Sequence, residues 1–207
     1  IMETKKPHVP FTRERFYFDH IGQHGVAALK RHVNRYKWAA SCIPAGSRVL
    51  DAGSGSGYGD HILLTKAAKV VGVEISEEAV CYSRWKAEEV YQENVEYVQA
   101  DLRSFDLGIL KFDAAVCIEV IEHVSAQDQN RIMACIKFHL EPNGRLLITT
   151  PVKKEGAPMT EFHEHEFSVE EFKTFLGNHF SAIALDDPSK FGIPPDFLLA
   201  VCRGPLT

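Results

Sequence analysis

The sequence predicts a doubly wound α/β fold with a mostly parallel sheet, and three observations carry that prediction. Short β-branched runs alternate with helical stretches, a glycine-rich turn sits between the first run and the helical stretch after it, and the last two runs follow each other with no helical pattern between them. Strands alternating with helices imply right-handed parallel crossovers. The sheet is then covered on both faces, so each strand reads as a nearly continuous apolar run.

The elements follow in order. From about Gly22 to Ser41, Val26, Leu29, Val33 and Tyr36 recur at helical spacing, which predicts an amphipathic helix laid against the domain. Pro44-Ala45-Gly46 ends it. Strands are predicted at Arg48–Leu50, Val70–Val73, Val95–Val98, Ala114–Ile118 and Leu146–Thr149, with helices near 58–68, 77–91 and 126–140. A last helix over Ser168–Leu176 precedes Phe180–Leu185 and Phe197–Val201, read as a closing hairpin; this brings the sheet to seven strands, with one C-terminal strand antiparallel. At 207 residues, without repeat, linker or low-complexity tract, the chain reads as a single domain. Residues 1–43 form a segment covering the site and residues 44–207 form the core.

Composition bounds the function. Hydrophobic residues at 45% and charged residues at 25% are ordinary for a globular protein and argue against disordered or disulfide-framework classes. A net charge of -5 disfavours a dedicated nucleic-acid binder, whose affinity leans on cations facing phosphates, so a small-molecule substrate is expected. Lys30, Arg31, Arg35 and Lys37, around His32, read as the solvated face of a helix. Cys42, Cys81, Cys117, Cys135 and Cys202 are odd in number, widely spaced and set among apolar residues, which reads as reduced structural thiols. No apolar run approaches the ~20 residues of a membrane span, and Ile1 to Pro10 carries no apolar signal stretch. The expected location is the cytoplasm, and the oligomeric state stays open.

The strongest chemical signal is Val49-Leu50-Asp51-Ala52-Gly53-Ser54-Gly55-Ser56-Gly57-Tyr58-Gly59, directly after the first strand and opening a helix. Residues without Cβ let the backbone bend sharply there and bring its N–H groups to a ligand. The glycines recur at every second position, unlike a GxGxxG dinucleotide fingerprint, and Asp51 stands two places ahead of them. A carboxylate there repels a pyrophosphate but suits a ligand with a cationic sulfonium and an ammonium. Glu74 closes the second strand, and Asp101-Leu102 follow the third.

With these residues the chain resembles the class I S-adenosylmethionine-dependent methyltransferase family over roughly residues 11–203. The resemblance implies a Rossmann-like sheet and S-adenosylmethionine as cofactor, with S-adenosylhomocysteine as product. It implies that Asp51, Gly53, Gly55 and Gly57 surround the methionine part and that Glu74 grips the ribose hydroxyls. It also implies that Asp101 accepts from the adenine amine, that Leu102 lies beside the ring, and that Glu119 opens the segment facing the methyl group.

That segment, Glu119-Val120-Ile121-Glu122-His123-Val124, ends in Ser125, an N-cap type, with Asp128 three residues on. Together with Phe162-His163-Glu164-His165-Glu166-Phe167 it offers a divalent-metal ligand set of Glu119, Glu122, His123 and His163. The combination resembles the metal sites of small-RNA terminal 2'-O-methyltransferases and ubiquinone-pathway O-methyltransferases. Metal-free small-molecule enzymes have similar segments in which histidine orients the substrate or acts as base, so both readings stand. Phe11 to Phe16 and His32 to Tyr36 resemble methyltransferases of glycan or natural-product pathways, which implies that Arg15, Arg35 or Tyr36 meets the methionine carboxylate.

Methyl transfer is an in-line displacement at an activated carbon and needs no covalent intermediate, so Cys117 reads as structural. His123 or His163 has the right unperturbed pKa, ~6.5, to deprotonate an acceptor hydroxyl. His20, His24, His61, His139 and His179 read as structural or surface residues. The expected function is methyl transfer to an oxygen, or secondarily a nitrogen, of a small molecule such as a sugar or natural product. A metal-dependent RNA 2'-O-methyltransferase and a non-catalytic nucleotide-binding module are the alternatives. The stretch Thr150–Glu166 is expected to form a lid carrying acceptor specificity.

Overall fold

The computed structural model describes residues 7, 17, 25–90, 93–154, 156 and 159–206. The expectations placed on Phe11 to Phe16, Arg15, His20 and His24 lie outside them.

Helix α1 (Val26–Cys42) leads into β1 (Arg48–Ala52), α2 (Tyr58–Leu63), β2 (Lys69–Glu74), α3 (Glu77–Glu89), β3 (Val95–Gln99) and β4 (Phe112–Ile118). A 3-10 turn at Ile121–His123, α4 (Ala126–His139), β5 (Leu140–Pro151), α5 (Val169–Gly177), β6 (Phe180–Asp186) and β7 (Phe197–Pro205) complete the order. The sheet runs β3-β2-β1-β4-β5-β7-β6. Neighbours from β3 to β5 pair in parallel, and β7 runs antiparallel to both β5 and β6. This is the doubly wound sheet with one reversed C-terminal strand that the alternation of runs predicts.

The period-2 pleat sorts each strand's residues between two cores. Leu50, Val71, Val73, Ala115, Cys117, Leu146 and Ile148 pack with Ile132, Met133 and Ile136 of α4 and with Phe172 and Leu176 of α5. Val49, Val70, Ala114, Val116, Ile118 and Leu147 face the other way, onto Trp38 and Ala39 of α1, Leu63 of α2 and Val80 of α3. Serine caps start three helices: Ser76 accepts from Ala79 N–H, Ser125 from Asp128 N–H, and Ser168 with Glu171 forms a full capping box.

Among the departures from the sequence reading are two element boundaries and one helix face. Helix α2 stops at Leu63 rather than near 68, closing in turns through Lys66. Strand β5 begins at Leu140, because Leu140 already pairs with Phe112 before a register shift, and Pro142-Asn143-Gly144 lies inside the strand rather than breaking it. The expected basic face of α1 is split: Lys30, Arg31 and Lys37 are exposed, whereas Arg35 is buried with its guanidinium over the Phe197 ring.

Candidate functional site

A cavity of about 1010 Å³ opens at the carboxyl ends of the parallel strands, where doubly wound sheets place their ligands. It is lined by Gly53, Gly55, Glu74, Asp101, Leu102, Glu119, Glu122, His123 and His163, each singled out from sequence. A second cavity of about 570 Å³ lies between α1 and α2, with Leu29, Val33, Tyr58 and Ile62 on its wall and no carboxylate among its described lining residues. The residues singled out from sequence therefore gather at the first.

The alternate glycines are explained by the backbone. Gly53, Gly55 and Gly57 have φ of 88°, 55° and 76°, a left-handed region that strongly favours glycine. A Cβ on Gly53 would also sit 2.5 Å from Val120 Cγ2. The turn is clamped by Glu74, whose Oε2 accepts from Gly55 N–H at 3.1 Å while its Oε1 accepts from Ser76 N–H at 2.9 Å. Gly57 does not line the cavity; it caps α2 and packs on Tyr97 and Ser83.

Asp51 is fully buried beneath the turn and likewise does not line the cavity. It faces Asp60 of α2, and Tyr36 and Tyr97 flank the pair outside strict hydrogen-bond geometry. Burial pushes the Asp51 carboxyl up to about 6, with the charge of Glu74 adding to it. Burial and the adjacent Asp51 push Asp60 well above the usual carboxylate range. Two buried carboxyls facing each other are expected to share a proton. The sign follows: unfolded aspartates release their protons above pH ~4, while the native pair keeps one, so the stability held at low pH is lost as pH rises through about 6. Asp60→Asn, which supplies a permanent donor, is expected to flatten this loss and raise the thermal midpoint near pH 8. Melting curves of both proteins from pH 5 to 8 check it, and parallel pH profiles would reject a shared proton.

Asp101 is held below the usual carboxylate range by Arg103, whose Nε lies 2.9 Å from both carboxylate oxygens and whose Nη1 reaches Asp128 at 3.3 Å. Leu102 and the exposed Ile75 add apolar surface to the same end of the cavity.

At the other end stands Glu119, the non-glycine residue with positive φ, 55°, among those described. Such conformations cost ~1–3 kcal/mol and persist where surroundings over-determine them. Here Thr149 Oγ1 donates to Glu119 Oε1 at 2.9 Å, and Arg35 Nε lies 3.8 Å from the same oxygen. Arg35 thus meets Glu119 and lies behind the cavity wall, while Tyr36 lines the wall. Glu122 is fully buried: Thr150 Oγ1 donates to its Oε2 at 3.3 Å, and its Oε1 has no partner among the described residues. Burial, with Glu119 adding, pushes its carboxyl well above the usual range.

Both histidines are oriented from behind. His123 Nδ1 lies 2.9 Å from the Phe162 carbonyl oxygen, an acceptor only, so a neutral ring carries its proton on Nδ1 and its lone pair on Nε2. His163 Nδ1 lies 2.6 Å from Glu166 Oε1. The rings meet edge to face at 5.0 Å, and one ligand atom from each of Glu122, His123 and His163 lies within 4.8 Å of the other two. Glu119 stands outside that set. Elsewhere, His139 is buried between Leu107 N–H and the Leu110 carbonyl, His179 pairs with Asn130, and burial pushes the Cys117 thiol well up; all three are structural.

Thr149, Thr150, Arg103 and Glu166 were not singled out from sequence. The threonines close the fifth strand, where strand-end position is itself a signal.

No helix among the described residues is long and apolar enough to cross a membrane. A family model described as a methyltransferase domain matches residues 43–182. The chain is 31% identical over 153 residues to a "Probable S-adenosylmethionine-dependent methyltransferase" of Mycobacterium tuberculosis, covering 72% of this chain and 53% of that protein. It is 31% identical over 105 residues to a ubiquinone biosynthesis O-methyltransferase of Coxiella burnetii, covering 51% and 44%. The chain spans about half the length of these curated relatives. Among solved structures, the N-methyltransferase NodS from Bradyrhizobium japonicum with S-adenosylhomocysteine superposes with a TM-score of 0.66 at 17% identity, covering 88% of this chain and 89% of that one. The sheet order, the glycine turn clamped by an acid at the end of β2 and the matched family model lead to one assignment: the chain belongs to the class I S-adenosylmethionine-dependent methyltransferases.

Proposed function

We propose that this enzyme, working as a single domain, methylates an oxygen of an uncharged small molecule, such as a sugar or other hydroxylated natural product. The observation that carries the reading is the pair of imidazoles at the cavity mouth, His123 and His163, each with Nδ1 committed to a partner and Nε2 left to take a proton. A nitrogen acceptor would need less of this. In this reading Gly53 and Gly55 take the methionine part, Glu74 the ribose, and Asp101 with Leu102 the adenine. Asp51 and Gly57 support the turn from below. The enzyme's share of the chemistry is to align the acceptor and exclude water.

Acidic and neutral walls favour a neutral acceptor over RNA. Among the described lining residues the guanidinium is that of Arg103, and it is spent on Asp101 and Asp128. Phosphates would meet Glu119, Glu161 and Glu164 instead. Five free cysteines fit a reducing cytoplasm.

A second reading adds a divalent metal at Glu122, His123 and His163. The orphaned Glu122 Oε1 and two oriented imidazoles fit such an ion chemically. When bound it would acidify an acceptor hydroxyl.

The test offers labelled S-adenosylmethionine with hydroxylated small molecules, amines or small RNA, each with and without a chelator. Methylated hydroxyl compounds are expected. Label in RNA, or calorimetric preference for a nicotinamide dinucleotide, would overturn the proposal. Chelator-sensitive activity restored by a divalent ion selects the metal reading, and insensitive activity rejects it.

A further inference from the structure

The His163 ring has a partner on the side away from the cavity. Glu166 Oε1 lies 2.6 Å from His163 Nδ1, and the two side chains are only 13% and 15% exposed. His163 lines the cavity and Glu166 does not. We propose that Glu166 is a positioning residue: its carboxylate accepts Nδ1–H and thereby fixes the tautomer in which Nε2 of His163 carries the lone pair. The proposal rests on the reading of His163 as a working group of the site, whether as base or as ligand.

A carboxylate only accepts, so a neutral imidazole at this distance carries its proton on the near nitrogen. The backbone holds both partners in place. His163 N–H donates to Thr160 O at 3.1 Å, and Glu164 and His165 N–H donate to Glu122 O at 2.7 and 3.1 Å. On the other side of Glu166, Phe167 is buried in the core and its carbonyl accepts from Lys153 N–H at 2.8 Å. Glu166 thus projects from a stretch pinned at both ends. His123 receives the same constraint from a carbonyl, so two rings from distant parts of the chain are left with the same nitrogen available. A mobile surface ion pair would show neither the burial nor this agreement.

The tautomer can be read without knowing the acceptor. Histidine labelled with nitrogen-15 gives distinct signals for protonated and bare ring nitrogens, and His163→Gln identifies the His163 pair by its loss. The spectrum is recorded near pH 9, above the ordinary imidazole pKa of ~6.5. The expected result is a proton on Nδ1 in the native protein and a mixed or reversed tautomer in Glu166→Ala. A native ring protonated on Nε2 or on both nitrogens, or a tautomer unchanged in Glu166→Ala, overturns the proposal. Once an acceptor is known, Glu166→Ala should lower kcat about 10- to 100-fold while cofactor affinity stays within twofold. Full activity in His163→Ala would instead reject the site reading on which the proposal rests, whatever the spectrum shows.

Discussion

Methyl transfer by His163→Ala, and separately by His123→Ala, is expected to fall by about 10²–10⁴, the range a positioned acid–base group supplies. The effect should appear in kcat more than in cofactor binding, because neither ring belongs to the glycine-turn end of the cavity. Steady-state rates on an acceptor found by screening measure it, with cofactor affinity followed by calorimetry. The two variants need not be additive, since the ring centroids lie only 5.0 Å apart. Full activity in both would show that the imidazoles serve only the packing of the loop onto Glu122.

Cofactor affinity in Glu74→Ala is expected to drop at least about 100-fold. Beyond the ribose contact proposed for it, this residue also clamps the turn. Each oxygen already holds a backbone N–H, Oε2 that of Gly55 in the turn and Oε1 that of Ser76. Alanine would remove two charge-assisted bonds to ligand, worth ~1.5–3 kcal/mol each, and release the turn that shapes the methionine end. Glu74→Gln should recover little, because its amide NH₂ would face a donor. Calorimetric titration with S-adenosylhomocysteine decides it, and affinity within threefold of native would place the ribose elsewhere.

Much of this was readable in the sequence, for physical reasons. Three glycines at alternate positions encode three left-handed backbone conformations that few other residues tolerate, so the turn declares itself. Glu74, Asp101 and Glu119 declare themselves by standing where apolar strand runs stop. Contacts across elements left no such trace. Asp51 reads as a ligand-facing acid until Asp60, nine positions on, is seen folded against it beneath the turn. Arg35 shares a basic stretch with Lys30, Arg31 and Lys37, yet helical rotation carries it inward to Glu119. Arg103 cannot be told from any surface arginine until its fork closes on Asp101. The start of β5 was hidden because Pro142-Asn143-Gly144 has turn chemistry and sits inside a strand with an irregular register.

The reversed strand has a consequence for how the chain is made. β7 is the last of the seven strands to leave the ribosome, yet it lies between β5 and β6 and contributes Leu199, Ala200, Val201 and Cys202 to both cores. Until it arrives, β5 presents a long unpaired edge of Leu146, Leu147 and Ile148, and β6 has no partner at all. Sheet closure therefore waits until β7 has been made, and a nascent chain stalled before Phe197 carries a template for wrong pairing. The strand behaves as a keystone, set last and bearing on both sides.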